Sequence, residues 1–252
     1  MDDPPFEILG EGRPPAWLVL CDHASNRVPQ DVAGGDLGLP AEDMARHIAW
    51  DVGAQGVAAA LAEALDAPMI ATRFSRLVID PNRGEDDPTL LMKLYDGSII
   101  PGNRAADAAE RERRLARFHR PYHAALERMI DAALAEGVAP RLLSIHSFTP
   151  QLRGRPRRPW EIGLLWDRDE RLFRPLYDRL LDEPGLTVGD NEPYSGQLRG
   201  DTMFRHGTER GLEHLLIEVR NDLIEEAADQ RRWGRDLARW IGEALDRRPA
   251  GA

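Results

Sequence analysis

Residues 18–26 read LVLCDHASN, and the order of residue types in this stretch settles the fold class. Leu18, Val19, Leu20 and Cys21 follow one another without a polar break. A strand built from them has no face for water, so it must be covered on both sides, as in a sheet sandwiched by helices. Asp22, His23, Ser25 and Asn26 come immediately after. In open α/β sheets, ligands bind in the crevice at the carboxyl ends of strands. The stretch therefore predicts a buried strand with a site at its end.

The pattern repeats along the chain. Apolar runs at 16–21 (AWLVLC), 68–72 (PMIAT), 76–80 (RLVID), 141–146 (RLLSIH), 161–166 (EIGLLW) and 214–219 (HLLIEV) predict further strands. Longer amphipathic segments at 41–66, 104–137, 169–183 and 222–247 predict helices. In 104–137, Leu115, Phe118, Tyr122, Leu126, Met129 and Ala133 recur every three or four positions, with Pro121 expected to kink or divide the helix. Asn221 or Asp222 is the expected N-cap of the last helix. Alternating strands and helices predict a three-layer α/β/α fold, and residues 1–252 are read as a single domain.

Charge and composition exclude several function classes. Lys and Arg number 33 against 43 Asp and Glu, giving a formal net charge of −10 and a surface that does not favour nucleic acid or anionic membrane. No run of 18 apolar residues is present, so no membrane span is expected. The lone Cys21 permits no intrachain disulfide, which suits a reducing cytosol. We expect a cytoplasmic protein. GxxxxGK[ST], GxGxxG, GxSxG, HExxH and CxxC are all missing, which removes the standard nucleotide sites and the α/β-hydrolase nucleophile.

What remains is polar cargo at strand ends: His23, then Asp80-Pro81-Asn82-Arg83, then His146-Ser147, then Glu218-Val219-Arg220. A histidine leaving a buried strand is costly unless its nitrogens are satisfied. His23 and His146 are either backbone-bonded strand-end residues or half of a zinc site. Catalytic zinc takes three protein ligands from His, Asp and Glu and keeps a position open. Asp51 is the better third ligand, since a carboxylate binds zinc more strongly than the amide of Asn26, the alternative. Cys21 reads as core filler, and Asp22, on the opposite face of the strand from His23, as a residue that orients a neighbour. His47 precedes Asp51 by four residues, so a shared helical face makes it a substrate contact or a support for the site. Arg83, with Asn82, offers a guanidinium fork for a carboxylate, although Pro, Asn and Gly also favour a plain turn there. A buried Glu218 would have a raised pKa and suits a general base, unless it is paired with an arginine. Tyr194, in GDNEPYSG (189–196), could close over a substrate. His119 and His123 in HRPYH have metal-pair spacing but are interrupted by Pro121; their roles stay open.

Taken together, CDHASN, HIAWDVGA, DPNR, HRPYH, SIHSFTP, GDNEPYSG and LIEVRNDLI resemble the N-formylglutamate amidohydrolase family over about residues 18–225. The resemblance implies a fold like that of zinc carboxypeptidases and aspartoacylases, with a mixed, largely parallel sheet and one Zn2+ per chain at the strand ends. In aspartoacylases the arginine of an Asp-Leu-Asn-Arg stretch grips the substrate carboxylate, and DPNR is similar. IEVR, with Glu218, is similar to the context of the carboxypeptidase glutamate. The relatives place a glutamate of a His-x-x-Glu pair where this chain has Asn26. The implied reaction is hydrolysis of an N-acyl amino acid, N-formyl-L-glutamate foremost. His23, Asp51 and His146 would hold the metal and Glu218 would move protons. Asn82, Arg83, His47, Tyr194 and Arg220 would contact the small-molecule substrate. A zinc peptidase or amidase of other specificity, or a non-catalytic binding protein on the same fold, are the rival expectations.

Overall fold

The computed structural model describes residues 4–247; the ends of the expected 1–252 domain lie outside the described residues. The strands among them are β1 (Phe6–Leu9), β2 (Trp17–Cys21), β3 (Met69–Thr72), β4 (Leu94–Tyr95), β5 (Ser98–Ile99), β6 (Arg141–Phe148), β7 (Ile162–Leu165), β8 (Val188–Asp190) and β9 (His214–Arg220). The helices are α1 (Ala41–Met44), α2 (Ala54–Ala64), α3 (Pro101–Arg104), α4 (Ala108–Arg114), α5 (Arg120–Ala135), α6 (Phe173–Leu181) and α7 (Ala227–Asp246). Seven strands form one sheet in the order β1-β3-β2-β6-β9-β7-β8, with β4 and β5 as a separate hairpin. Strands β3, β2, β6 and β9 run parallel, β1 is antiparallel to β3, and β7 is antiparallel to β9. The fold is a mixed, mostly parallel α/β sheet with flanking helices. No helix among the described residues is long and apolar enough to cross a membrane.

Side-chain alternation along the strands sorts the residues onto two faces. Val19, Cys21, Leu143, Ile145, Leu215 and Ile217 pack with residues of α2, α6 and α7, among them Val57, Leu61, Leu176, Leu237 and Trp240. Leu18, Leu20, Leu142 and Leu216 pack against Tyr122, Leu126 and Ile130 of α5 on the other face. Two residues further along the same face come Asp22, Ser144 and Glu218, with His146 beyond Ser144. Apolar side chains thus give way to polar ones on this face as the strands approach their carboxyl ends.

Several expectations are corrected. The run 76–80 is not a strand: Leu77, Val78 and Ile79 are buried from a turn, in a third apolar cluster with Phe74, Phe118 and Ile100. The 41–66 helix is broken between α1 and α2. Gly53 sits at φ 79° against the chain near Ile224, where an added Cβ would lie 2.2 Å from the Ile224 carbonyl oxygen. Segment 104–137 is interrupted at 105–107; from Ala108 to Ala135 it runs as one helical stretch that contains a π-helical turn, Leu115–His119, just before Pro121. Such a turn relieves a proline that has no N–H to donate. The last helix begins after Glu226, while Asn221–Leu223 forms a short 3-10 turn. Asp222 is drawn away from capping by Arg220, at 2.8 Å, and Arg157, at 2.7 Å. The edge strands β1 and β8 and the β4–β5 hairpin were not anticipated; they are short and carry no continuous apolar run.

Candidate active site

Strand β2 delivers Asp22 and His23 at its end, β6 carries Ser144 and His146, and β9 carries Glu218. Asp51 comes from the non-helical stretch ahead of α2. Its backbone N–H donates to the His23 carbonyl at 2.9 Å, which pins this stretch to the end of β2. His23, Asp51 and His146 are all buried, and their ligating atoms lie within 4.8 Å of one another. Nδ1 of His146 is 2.8 Å from Asp51 Oδ2, and Nδ1 of His23 is 3.3 Å from the same oxygen.

The outer ring nitrogens are held by carboxylates. His23 Nε2 donates to Asp80 Oδ1 at 2.7 Å, and His146 Nε2 to Asp22 Oδ2 at 3.2 Å. Asp80 is itself fixed by Arg76, at 2.8 Å, and by the Asn82 N–H, at 2.9 Å. Asp22 accepts from the Tyr122 hydroxyl at 2.6 Å and the Ser144 hydroxyl at 3.2 Å. With Nε2–H committed outward, an imidazole in its neutral form would turn an Nδ1 lone pair toward an anionic Asp51 oxygen. Acceptors facing acceptors require a positive charge between them, a proton or a metal ion. The charge balance agrees. Burial opposes ionisation of Asp51, but His23 and His146 outweigh it and hold its pKa below the ordinary value. Burial opposes protonation of His146, but hydrogen bonds to Asp22 and Asp51 raise its pKa well above normal. A His–Asp–His donor set with each imidazole oriented by an outer carboxylate fits a small divalent cation.

These residues line a cavity of about 300 Å³. Glu218 enters it, and its Oε2 is buried without a hydrogen-bond partner among the described residues. Burial pushes the Glu218 pKa up to about 7, with His146 pulling down and Asp51 pushing up. Asn82, Arg83, Tyr194 and His47 line the same cavity. The Arg83 guanidinium donates to the Asn82 carbonyl at 2.7 Å and to the Thr89 hydroxyl at 3.2 Å. Asn82 Oδ1 accepts the Thr202 N–H at 3.1 Å. The Tyr194 hydroxyl accepts from Arg158 at 3.2 Å, with that guanidinium over its ring. His47 Nε2 is buried without a hydrogen bond among the described residues, 3.5 Å from Asp96 Oδ2, and burial lowers its pKa to about 4. His47 and Asp51 reach the cavity from a turn, not from one helical face.

Two candidates sit elsewhere. Arg220 does not line the cavity; a buried guanidinium needs its donors satisfied, and it donates to Glu161, Asp222 and the carbonyls of Pro159 and Trp160. Asn26 donates to the Met44 carbonyl at 3.0 Å and is outside the cavity lining. Cys21 is buried in the helix-covered core. Residues without a sequence signal for this site are Arg76, Tyr95 and Asp201, all cavity-lining. Asp80 had only its strand-end DPNR setting to single it out, with nothing to pair it with His23.

A family model for the N-formylglutamate amidohydrolases matches residues 16–225. The chain belongs to this family. As a member of the N-formylglutamate amidohydrolase family it is a hydrolase acting on amide C–N bonds. A curated N-formylglutamate deformylase of Pseudomonas putida is 27% identical over 190 residues, covering 69% of this chain and 70% of the relative. The crystal structure of an Agrobacterium tumefaciens gene product is 36% identical, with a TM-score of 0.88 over 97% of this chain and 96% of that one. An N-formylglutamate amidohydrolase from Ralstonia eutropha is 26% identical, with a TM-score of 0.63 over 94% and 98%.

Proposed function

We propose that this chain is a single-domain, zinc-dependent amidohydrolase that cleaves N-formyl-L-glutamate to formate and glutamate. The observation that carries the reading is the pair of Nδ1 lone pairs converging on Asp51, with Glu218 beside them. His23, Asp51 and His146 would hold the zinc. When bound, zinc supplies Lewis acidity toward the amide carbonyl and the attacking water.

The chain's own groups do the rest. Arg83 holds a substrate carboxylate, with its guanidinium steadied by the Asn82 carbonyl and Thr89. Glu218, poised near neutrality, takes the proton of the attacking water and passes it to the departing amine nitrogen. His47, neutral and without a hydrogen bond at Nε2 among the described residues, offers one to the substrate. Tyr194 and Phe148 wall the cavity and limit water. A cavity of about 300 Å³ suits one acylated amino acid better than a peptide. The single, buried Cys21 fits the reducing cytoplasm, where we place the reaction.

The test is release of the free amino acid by purified protein, stripped of metal and reloaded with Zn2+, from N-formyl amino acids, N-acetyl amino acids and dipeptides. N-formylglutamate should be preferred, and only after reloading. Preferred cleavage of dipeptides would overturn the substrate, and full activity after stripping would overturn the metal.

A further inference from the structure

The histidines of HRPYH do not reach the candidate metal atoms. Both grip the loop that carries Arg83. His119 Nε2 lies 2.9 Å from the Arg83 carbonyl oxygen, and His123 Nε2 lies 2.9 Å from the Pro81 carbonyl oxygen. A carbonyl only accepts, so both Nε2 atoms carry the hydrogen. Burial pushes the pKa of each ring down, so each is neutral and its Nδ1 is a bare acceptor. His206, in the π-helical turn Phe204–Thr208, brings its Nε2 to 2.9 Å from His123 Nδ1. That nitrogen must therefore donate, and burial lowers the His206 pKa to about 4, which keeps it neutral too. One direction of donation results: His206 to His123 to Pro81.

Four backbone groups of the loop are then held. The Pro81 and Arg83 carbonyls are held by histidines, the Asn82 carbonyl by Arg83 itself, and the Asn82 N–H by Asp80. His123 and His206 stack with ring centroids 5.2 Å apart, and His119 and His123 pack at 4.5 Å. Such packing leaves the rings few alternative rotamers.

We propose that His119, His123 and His206 are positioning residues for substrate binding, which fix the Pro81–Arg83 backbone and thereby the direction of the Arg83 guanidinium. The inference rests on the reading of Arg83 as the group that binds the substrate carboxylate.

The paired variants His119→Leu and His119→Gln test it, because glutamine keeps an N–H donor near the Nε2 position and leucine does not. His119→Leu should raise KM for N-formylglutamate on the order of tenfold while kcat stays within about threefold, and His119→Gln should restore KM. A merely structural role would lower the melting temperature and active fraction without moving KM. An unchanged KM in His119→Leu, or equal KM values in the two variants, overturns the proposal. If His119→Leu does not fold, His123→Gln against His123→Asn carries the test, since only glutamine can reach the Pro81 carbonyl; equal KM values overturn it. If the wild-type chain hydrolyses no N-formyl amino acid, the proposed function fails while this inference is still read by calorimetric binding of L-glutamate. Affinity should then fall on the order of tenfold in His119→Leu and recover in His119→Gln, and no loss overturns the proposal.

Discussion

Glu218 and His146 are register partners on the adjacent parallel strands β9 and β6, so their side chains leave the same face of the sheet side by side. The backbone ladder alone therefore places a buried carboxylate next to a candidate metal ligand. Neither position depends on a loop.

Replacing Glu218 with glutamine keeps the shape and removes the base. Turnover should fall by roughly 10²- to 10⁴-fold, the usual contribution of a general base. Metal content should match the wild type, because Glu218 is not in the His–Asp–His group. Formate release together with elemental analysis checks both halves; unchanged turnover removes Glu218 from the mechanism.

Asp80 orients His23 through Nε2 and is fixed in turn by Arg76. The change Asp80→Asn permits the amide to face His23 with its NH2 group, which would favour the wrong tautomer and turn an N–H toward Asp51. Metal affinity should weaken about 10- to 100-fold, as for other outer partners of ligating histidines. Competition with a chelator measures it, and an unaltered affinity would show that the orientation of His23 does not depend on Asp80.

On the proposed reading, a proton and a metal ion would compete at His146. Its pKa rises on folding from 6.5, because hydrogen bonds to Asp22 and Asp51 outweigh burial. The folded metal-free chain therefore keeps a proton that the unfolded chain has released. This stabilisation is complete below pH 6.5 and is lost as pH rises through the folded value. Melting temperatures of stripped protein should fall with pH above neutrality, and added Zn2+ should stabilise more at higher pH as it displaces the proton. A zinc effect that does not change with pH would contradict the exchange.

Asp201 works in the opposite sense. Burial raises its pKa to about 7 from 3.8, although the Phe204 N–H donates to it at 2.7 Å. The folded chain prefers the neutral acid, so stability is lost as pH rises from 3.8 through about 7. Asp201→Asn keeps an oxygen for Phe204 and removes the charge. It should stabilise the protein on the order of 2 kcal/mol at pH 8, with the gain vanishing near pH 4. Denaturant melts at the two pH values decide it, and equal stability of variant and wild type at pH 8 would refute the account of Asp201.

The sequence foretold those parts of the fold whose burial is uniform. AWLVLC, RLLSIH and HLLIEV are strands because they are covered by helices on both faces, and a continuous apolar run records that. RLVID reads the same way, yet Leu77, Val78 and Ile79 are buried in a side cluster, and an apolar run cannot tell a sheet from such a cluster. The break at Gly53 depends on the distant chain at Ile224 and leaves no local trace beyond the glycine itself. In the site, His23, His146 and Glu218 were legible because strand ends collect functional groups. Asp80 on His23 and Asp22 on His146 join residues 57 and 124 positions apart, and such pairings exist only once the sheet order is set. Arg220 misled for a related reason: its position at a strand end says nothing of the four acceptors that bind it.

The central claim is that His23, Asp51 and His146 hold a catalytic zinc. Zinc content and N-formylglutamate hydrolysis, measured together on the wild type and on the double variant His23→Ala, His146→Ala, test it most directly. The account predicts a single tightly held zinc ion with formate release in the wild type, and neither in the double variant. Equal zinc content and equal formate release in both proteins would contradict it.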